Sequence, residues 1–264
     1  MFDYHMHSAF SADCEIPMEE MAKASVAKGL KEICFTDHID YEYPDETILF
    51  DFDKIAYAEK IQQLNNQFEG QLTIKKGVEI GLQPHLLDRY EQLMDEHSFD
   101  FVICSLHTVE NKSLHYKELF ADRSVEDAFE TYYKELLYCV QNYKRYSVLG
   151  HADLIKRYTG RPPAHLFHDY LEKIFKTIIP EGKGIELNTS GTRYGLAHNM
   201  PSEDILRLYK QCGGEILTLG SDAHRPSDIA HEFKESIELF QSIGFRYIAT
   251  FSNGKPQFHA ISSL

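Results

Sequence analysis

Seven times along this chain a short strand-like run gives way to a stretch of helical spacing, and that alternation constrains the fold more tightly than any other feature. These strand-like runs, the first of them largely polar, fall at residues 3–8, 32–38, 72–80, 99–107, 146–151, 184–188 and 215–224. Pro17 opens the first amphipathic stretch, with Met18, Met21, Ala22 and Val26 on one side and Gly29 as its stop. The second runs from about Asp53 to Phe68, with Ile55, Ala58, Ile61, Gln62 and Leu64 on one side, and the third covers 84–97. Ser124 and Asp127 form a capping pair for a fourth that ends near Tyr143. Pro162 or Pro163 starts a fifth that includes Leu166, Tyr170, Leu171, Ile174 and Ile178; two more cover 201–212 and 227–242.

Strands alternating with helices in this way form a parallel sheet with crossover helices, which closes most simply as a (β/α) barrel. No linker rich in Pro, Gly or Ser and no low-complexity segment interrupts the pattern, so one domain over 1–264 is expected. Residues 108–123 have no clear period and are expected over the barrel mouth. Residues 246–251 are expected to add a closing strand or to cover one end.

The strand ends narrow the chemistry. His5 and His7 stand at i and i+2 in a strand, about 6–7 Å apart on one face. The second run ends at His38, the third at Glu79, the fourth at His107, the fifth at His151, and the seventh runs into Asp222 and His224. In a parallel barrel the carboxyl ends of the strands surround one mouth, so these side chains converge there. A single strand-end His ordinarily bonds a carbonyl, and a single strand-end Asp ordinarily caps the next helix. Neither habit explains why strand after strand ends this way. Imidazole and carboxylate without thiolate suit Zn, Mn or Fe, and a carboxylate among them can bridge two ions in a multinuclear hydrolytic site. The donors outnumber what one ion coordinates.

Composition excludes other classes. A net charge of -14 repels polyanionic backbones and argues against nucleic acid as a partner. The five cysteines, an odd number without CxxC spacing, indicate a reducing compartment. No run of about 18 apolar residues and no leader pattern is present, so a cytoplasmic enzyme without a membrane partner is expected. There is no G-x-x-x-x-G-K, and Gly182-Lys183-Gly184 reads as a turn into a strand.

The HxH at 5 and 7, Thr36-Asp37-His38, Glu79, His107, His151 and Ser221-Asp222-Ala223-His224 resemble the PHP family, the polymerase and histidinol phosphatase superfamily, along the whole chain. Residues 188–193 and 153–158 resemble its histidinol-phosphatase branch. The resemblance implies a distorted (β/α)7 barrel, TIM-like and of the PHP type, with three divalent metal ions (Zn, Mn or Fe). One ion would take His5, His7, Glu79 and Asp222. A second would share Glu79 and add His107 and His151. The third would take Asp13, His38 and His224, with Asp13 as a harder ligand that favours Mn or Fe over Zn there.

The implied reaction is hydrolysis of L-histidinol phosphate to L-histidinol and phosphate in histidine biosynthesis, by in-line attack of a hydroxide bridging the ions. Asp222, His224 and Arg193 are its expected catalytic residues. Arg193, Arg157 and Arg161 are expected to contact phosphate, because guanidinium forks match its oxygens. Tyr41, Glu42, Tyr43 and Asp45 are expected to accommodate the amine and imidazole end, and His198 and His231 are candidates for proton transfer. The competing readings are a phosphoesterase for nucleotides or other small phosphoesters, and a non-catalytic module stabilised by metal.

Overall fold

The computed structural model describes residues 1–159 and 167–264. Twelve strands are described: β1 Phe2–Met6, β2 Glu32–Phe35, β3 His38–Ile39, β4 Thr73–Gly81, β5 Phe101–Ser105, β6 Thr108–Val109, β7 Lys112–Ser113, β8 Val148–Leu149, β9 Gly184–Asn188, β10 Leu217–Gly220, β11 Tyr247–Ser252 and β12 Lys255–Ala260. The helices are α1 Met18–Ala27, α2 Lys54–Gln67, α3 Leu87–Glu96, α4 Val125–Asn142, α5 His168–Ile178, α6 Glu203–Gln211 and α7 Phe233–Ile243. The fold is α/β. Seven parallel strands follow the order β1-β2-β4-β5-β8-β9-β10, and β3 pairs with β4. Asp222 N donates to His5 O at 2.7 Å and His7 N to Ala223 O at 2.9 Å, so the residues after β10 meet β1 and nearly close the barrel. Among the described residues no helix is long and apolar enough to cross a membrane.

Local chemistry sets the helix ends. The Asp53 carboxylate accepts from Ile55 N and Ala56 N to start α2, and Ser124 Oγ accepts from Asp127 N to start α4. Gly29, at φ +77°, takes the left-handed turn after α1. On α2 the expected apolar side is corrected: Tyr57, Ile61 and Leu64 are buried, whereas Ile55 is 68% exposed. The α7 start also moves, because Pro226–Asp228 makes a separate 3-10 turn. The expected helix start at Pro162 or Pro163 lies outside the described residues.

Two irregularities aim the strands. β1 pairs Asp3 with Ile33 but Met6 with Phe35, so it carries one residue more than β2 across that interval. Such a bulge breaks the two-residue alternation. Tyr4 consequently packs edge-on against Phe101, with ring centroids 5.1 Å apart, while its neighbour His5 also turns inward and reaches Glu79. Met6 packs outward with Ile33 and Phe35 against α1 and α2. β2 stops at Phe35; the Asp37 carboxylate binds Ser8 N at 2.6 Å and Ser8 Oγ at 2.9 Å, and pairing resumes as His38↔Glu79.

The interior below the site is apolar: Tyr4, Cys34, Phe101, Ile103 and Val148 pack with Ala249 and Phe251 of β11. The β11–β12 hairpin thus covers one end. Its turn is held by Asp100, whose carboxylate accepts from Asn253 N and whose carbonyl accepts from Gly254 N. Asp100 immediately precedes β5, so the plugged end is the amino-terminal one and the carboxyl ends of the strands stay open.

Candidate metal centre

All eight strand-end donors, with Asp13 from the loop after β1, meet at that open end. His5 Nε2 lies 3.1 Å from His7 Nε2, 2.9 Å from Glu79 Oε2 and 3.8 Å from Asp222 Oδ1. His7 Nε2 lies 3.6 Å from Glu79 Oε2 and 3.3 Å from Asp222 Oδ1. Four ligands at about 2.0–2.1 Å from a tetrahedral ion stand about 3.3–3.4 Å from one another, and these five spacings scatter around that figure. The other Glu79 oxygen, Oε1, is 3.2 Å from His107 Nε2 and 3.0 Å from His151 Nε2. Glu79 therefore faces two groups of donors, one per oxygen. Beside them Asp13 Oδ2 is 3.1 Å from His224 Nε2 and 3.6 Å from His38 Nε2. The His7 ring is stacked between His38 and His224, with centroids 4.5 and 4.2 Å away.

The outward-facing nitrogens explain how these rings are held. His5 Nδ1 bonds Glu186 Oε2 at 2.8 Å, His107 Nδ1 bonds Asp40 Oδ2 at 2.6 Å, His7 Nδ1 bonds Ser11 Oγ at 3.2 Å and His224 Nδ1 bonds Asp222 O at 3.1 Å. An imidazole whose Nδ1 donates to a carboxylate presents a bare lone pair at Nε2. For His5 and His107 that lone pair faces a carboxylate oxygen of Glu79. Acceptors this close, in a buried place, call for a cation between them, so the donor set fits divalent ions. Ser105 Oγ adds a 2.6 Å bond to Glu79 Oε1.

Electrostatics agree. Burial alone would raise Glu79 and Asp222, but the surrounding imidazoles, His5 foremost, outweigh it and hold both well below the usual carboxylate range. Burial opposes charge on His5 too, yet Glu186, Glu79 and Asp222 raise it well above the imidazole range. His38 is likewise raised to about 9 against its burial, by Glu79 and Asp13. His7 is lowered to about 3 by burial and by the adjacent His224 and His38 rings. Asp222 holds its place with a left-handed backbone, φ 52°, which Asp tolerates better than most residues. Gly220 is required by close approach: a Cβ there would collide with that of His5.

The donors open into a cleft of about 400 Å³ walled by Tyr43, Phe50, Tyr116, Tyr158 and Tyr194, with His115, Arg157 and Arg225 at its polar edge. Arg157 stacks on Tyr194. Arg193 sits behind Asp222: one nitrogen, Nη2, donates to Ser221 O and Asp222 O at 2.6 and 2.9 Å, and Nη1 is buried with no hydrogen-bond partner among the described residues. Arg161 lies outside the described residues. Of the 41–46 loop only Tyr43 lines the cleft. Glu42 instead pairs with His85 and Arg89, Arg89 stacks on Tyr41, and Asp45 accepts from Tyr116 Oη and Thr47. His198 bonds its neighbour's carbonyl and His231 bonds Thr192, so neither reaches the cleft.

Sequence reading passed over Glu186, Asn188, Asp40 and Ser11 behind the donors, and His115, Tyr116, Tyr158, Tyr194 and Arg225 around the cleft. Two signals were available. Glu186 and Asn188 alternate at the end of the sixth strand, where the strand-end rule applies as it does elsewhere, and Asp40 stands at i+2 from His38.

Known proteins resemble this chain along nearly its whole length. Histidinol-phosphatase of Lactococcus lactis is 31% identical over 96% of this chain and 95% of its own length. A probable histidinol-phosphatase of Clostridium acetobutylicum is 28% identical over 93% of this chain and 95% of its own. The crystal structure of the Lactococcus lactis histidinol phosphate phosphatase, complexed with zinc, L-histidinol and phosphate, superposes with a TM-score of 0.87 at 30% identity, covering 97% of this chain and 98% of that one. A family model described as the PHP domain matches residues 3–190, which contain seven of the nine converging donors, and the chain belongs to that family.

Proposed function

We propose that this chain is a metal-dependent phosphomonoesterase, a histidinol-phosphatase that hydrolyses L-histidinol phosphate to L-histidinol and phosphate, built as one barrel domain over 1–264. The observation that carries the reading is Glu79, with Oε2 2.9 Å from His5 Nε2 and Oε1 3.0 and 3.2 Å from the His151 and His107 nitrogens. A buried carboxylate between two donor groups suits two ions, and Asp13, His38 and His224 offer a third position. Divalent ions are the cofactors; three of them, drawn from Zn, Mn or Fe, is our reading. The zinc, histidinol and phosphate bound to the similar Lactococcus lactis protein support a divalent metal and this substrate class.

Phosphate monoesters hydrolyse extremely slowly in water, so the site must supply a nucleophile at neutral pH and offset a dianion. Divalent ions in these positions supply Lewis acidity and lower the pKa of water toward neutrality. The chain's own groups then orient the substrate. Arg157, in the cleft wall, binds phosphoryl oxygens with its guanidinium fork, whereas Arg193, expected at the phosphate, does not line the cleft and instead steadies the backbone of Ser221 and Asp222. Arg161 is retained as a second candidate. Asp222 and His224, together after β10, would act as ligands, Asp222 at the position of His5 and His7 and His224 at that of Asp13 and His38, and so fix where an activated water stands. The π faces of Tyr43, Phe50, Tyr158 and Tyr194 suit an imidazole and an adjacent ammonium. Five free thiols, four of them buried, fit a cytoplasmic setting.

The test is phosphate release from L-histidinol phosphate, a nucleoside monophosphate and an oligonucleotide, run side by side with metal analysis of the purified chain. Efficient release from the first alone, abolished by chelation and restored by metal, is expected. Equal release from the nucleotide overturns the substrate assignment, and a metal-free chain that hydrolyses none overturns the phosphatase.

A further inference from the structure

One carboxylate behind the cluster faces two of its imidazoles at once. Asp40 follows His38 by two residues, just past β3, and is 6% exposed. Its Oδ2 is 2.6 Å from His107 Nδ1, and its Oδ1 is 3.7 Å from His38 Nδ1. Neither Asp40 Oδ1 nor His38 Nδ1 has a hydrogen-bond partner among the described residues. An acceptor and a potential ring donor, both buried, thus face each other just beyond bonding distance, and the same ring nitrogen stands 3.4 Å from Glu79 Oε2, so His38 Nδ1 lies between two carboxylates. β4 makes room for this carboxylate: a Cβ on Gly81 would collide with the carboxylate carbon of Asp40 and crowd both oxygens. His38, Glu79 and His107 each bring one donor atom within 4.8 Å of the others, so the two rings held by Asp40 also share Glu79.

We infer that Asp40 is a positioning residue shared by two ion positions, fixing His107 on one and His38 on the other, so that those positions fill or empty together. The inference rests on the multi-ion reading above. A histidine presents a directed lone pair from one nitrogen when the other donates to a fixed acceptor. With the His107 Nδ1 proton on Oδ2, its Nε2 points at Glu79 Oε1, 3.2 Å away. With the His38 Nδ1 proton on Oδ1, its Nε2 points at Asp13 Oδ2, 3.6 Å away. His5, His7 and Asp222 take their support from Glu186, Ser11 and Asn188 instead, so that position is independent of Asp40.

The experiment counts zinc. The wild type, Asp40→Asn and Gly81→Ala are dialysed to equilibrium against buffered free zinc over several decades, bound metal is measured by elemental analysis, and circular dichroism of the zinc-free forms checks folding. Asp40→Asn removes the charge, and Gly81→Ala displaces the same carboxylate without altering it. The wild type is expected to hold three zinc ions. Each variant is expected to keep one at wild-type affinity and to bind the other two about 10–100-fold more weakly. The retained ion also reports an intact barrel, because its ligands lie on both sides of the closing seam. Weakening of one ion only, of none, or of all three in a folded variant overturns the inference and leaves the multi-ion reading standing. A wild type that binds no zinc overturns both.

Discussion

Glu79→Gln tests the centre of the site, because this side chain faces five of its imidazoles. Oε2 lies 2.9, 3.6 and 3.4 Å from nitrogens of His5, His7 and His38, and Oε1 lies 3.2 and 3.0 Å from those of His107 and His151. An amide has one oxygen and one NH2. Whichever way it turns, one group of donors loses its carboxylate and meets a donor that opposes a cation. Glu79 is 1% exposed, so water does not restore the lost charge. Removing one member of a buried charge pair costs about 3–5 kcal/mol. At about 1.4 kcal/mol per tenfold, one ion should bind roughly 150- to 4,000-fold more weakly. With that ion largely absent its Lewis acidity is lost too, and the rate should fall by a comparable factor, about 10²- to 10³-fold. Zinc-buffered dialysis with elemental analysis reads the first figure, and phosphate release from L-histidinol phosphate at a free zinc concentration that just fills the wild type reads the second. A variant that keeps wild-type zinc stoichiometry, with affinity within about threefold and undiminished kcat, refutes Glu79 as the shared ligand.

Three further outcomes follow from other parts of the molecule. In chelator-treated protein, His38 is raised to about 9 from an ordinary value of 6.5, so its contribution to stability is full below about 6.5 and is lost as pH rises through about 9. The melting temperature of the chelated form should therefore fall across that window, while the zinc-loaded form, in which ions replace the protons, should not follow it; a rise in the chelated form contradicts the assignment. Phe251→Ala, at the plugged end, removes a side chain 1% exposed and should cost about 3–5 kcal/mol in urea denaturation without changing zinc stoichiometry, and loss of zinc would show that the two ends are not separable. Glu42→Gln should leave the KM for L-histidinol phosphate unchanged, because Glu42 is turned to His85 and Arg89; a several-fold rise would put it in the cleft after all.

The alternation of strand-like runs with helical spacing was enough to specify parallel strands and crossover helices, since those periodicities are properties of the local backbone. It was enough also to align His5, His7, His38, Glu79, His107, His151, Asp222 and His224 at one end, because parallel strands all point the same way. The Ser124 cap was legible for the same local reason, whereas Asp53, read as the start of its helix, proved to be the cap. Other features depend on which strands become neighbours. The bulge that turns both Tyr4 and His5 inward comes from pairing with β2, and no spacing within residues 2–6 announces it. The division of Glu79 between two donor groups, the approach of Asp40 to His107 across 67 residues and the support of His5 by Glu186 across 181 are decided by packing. So is the fate of Ile55 and Glu42, whose types suggested a core face and a substrate contact. Sequence spacing says which face of a strand or helix a side chain occupies; only the closed barrel decides what stands opposite it.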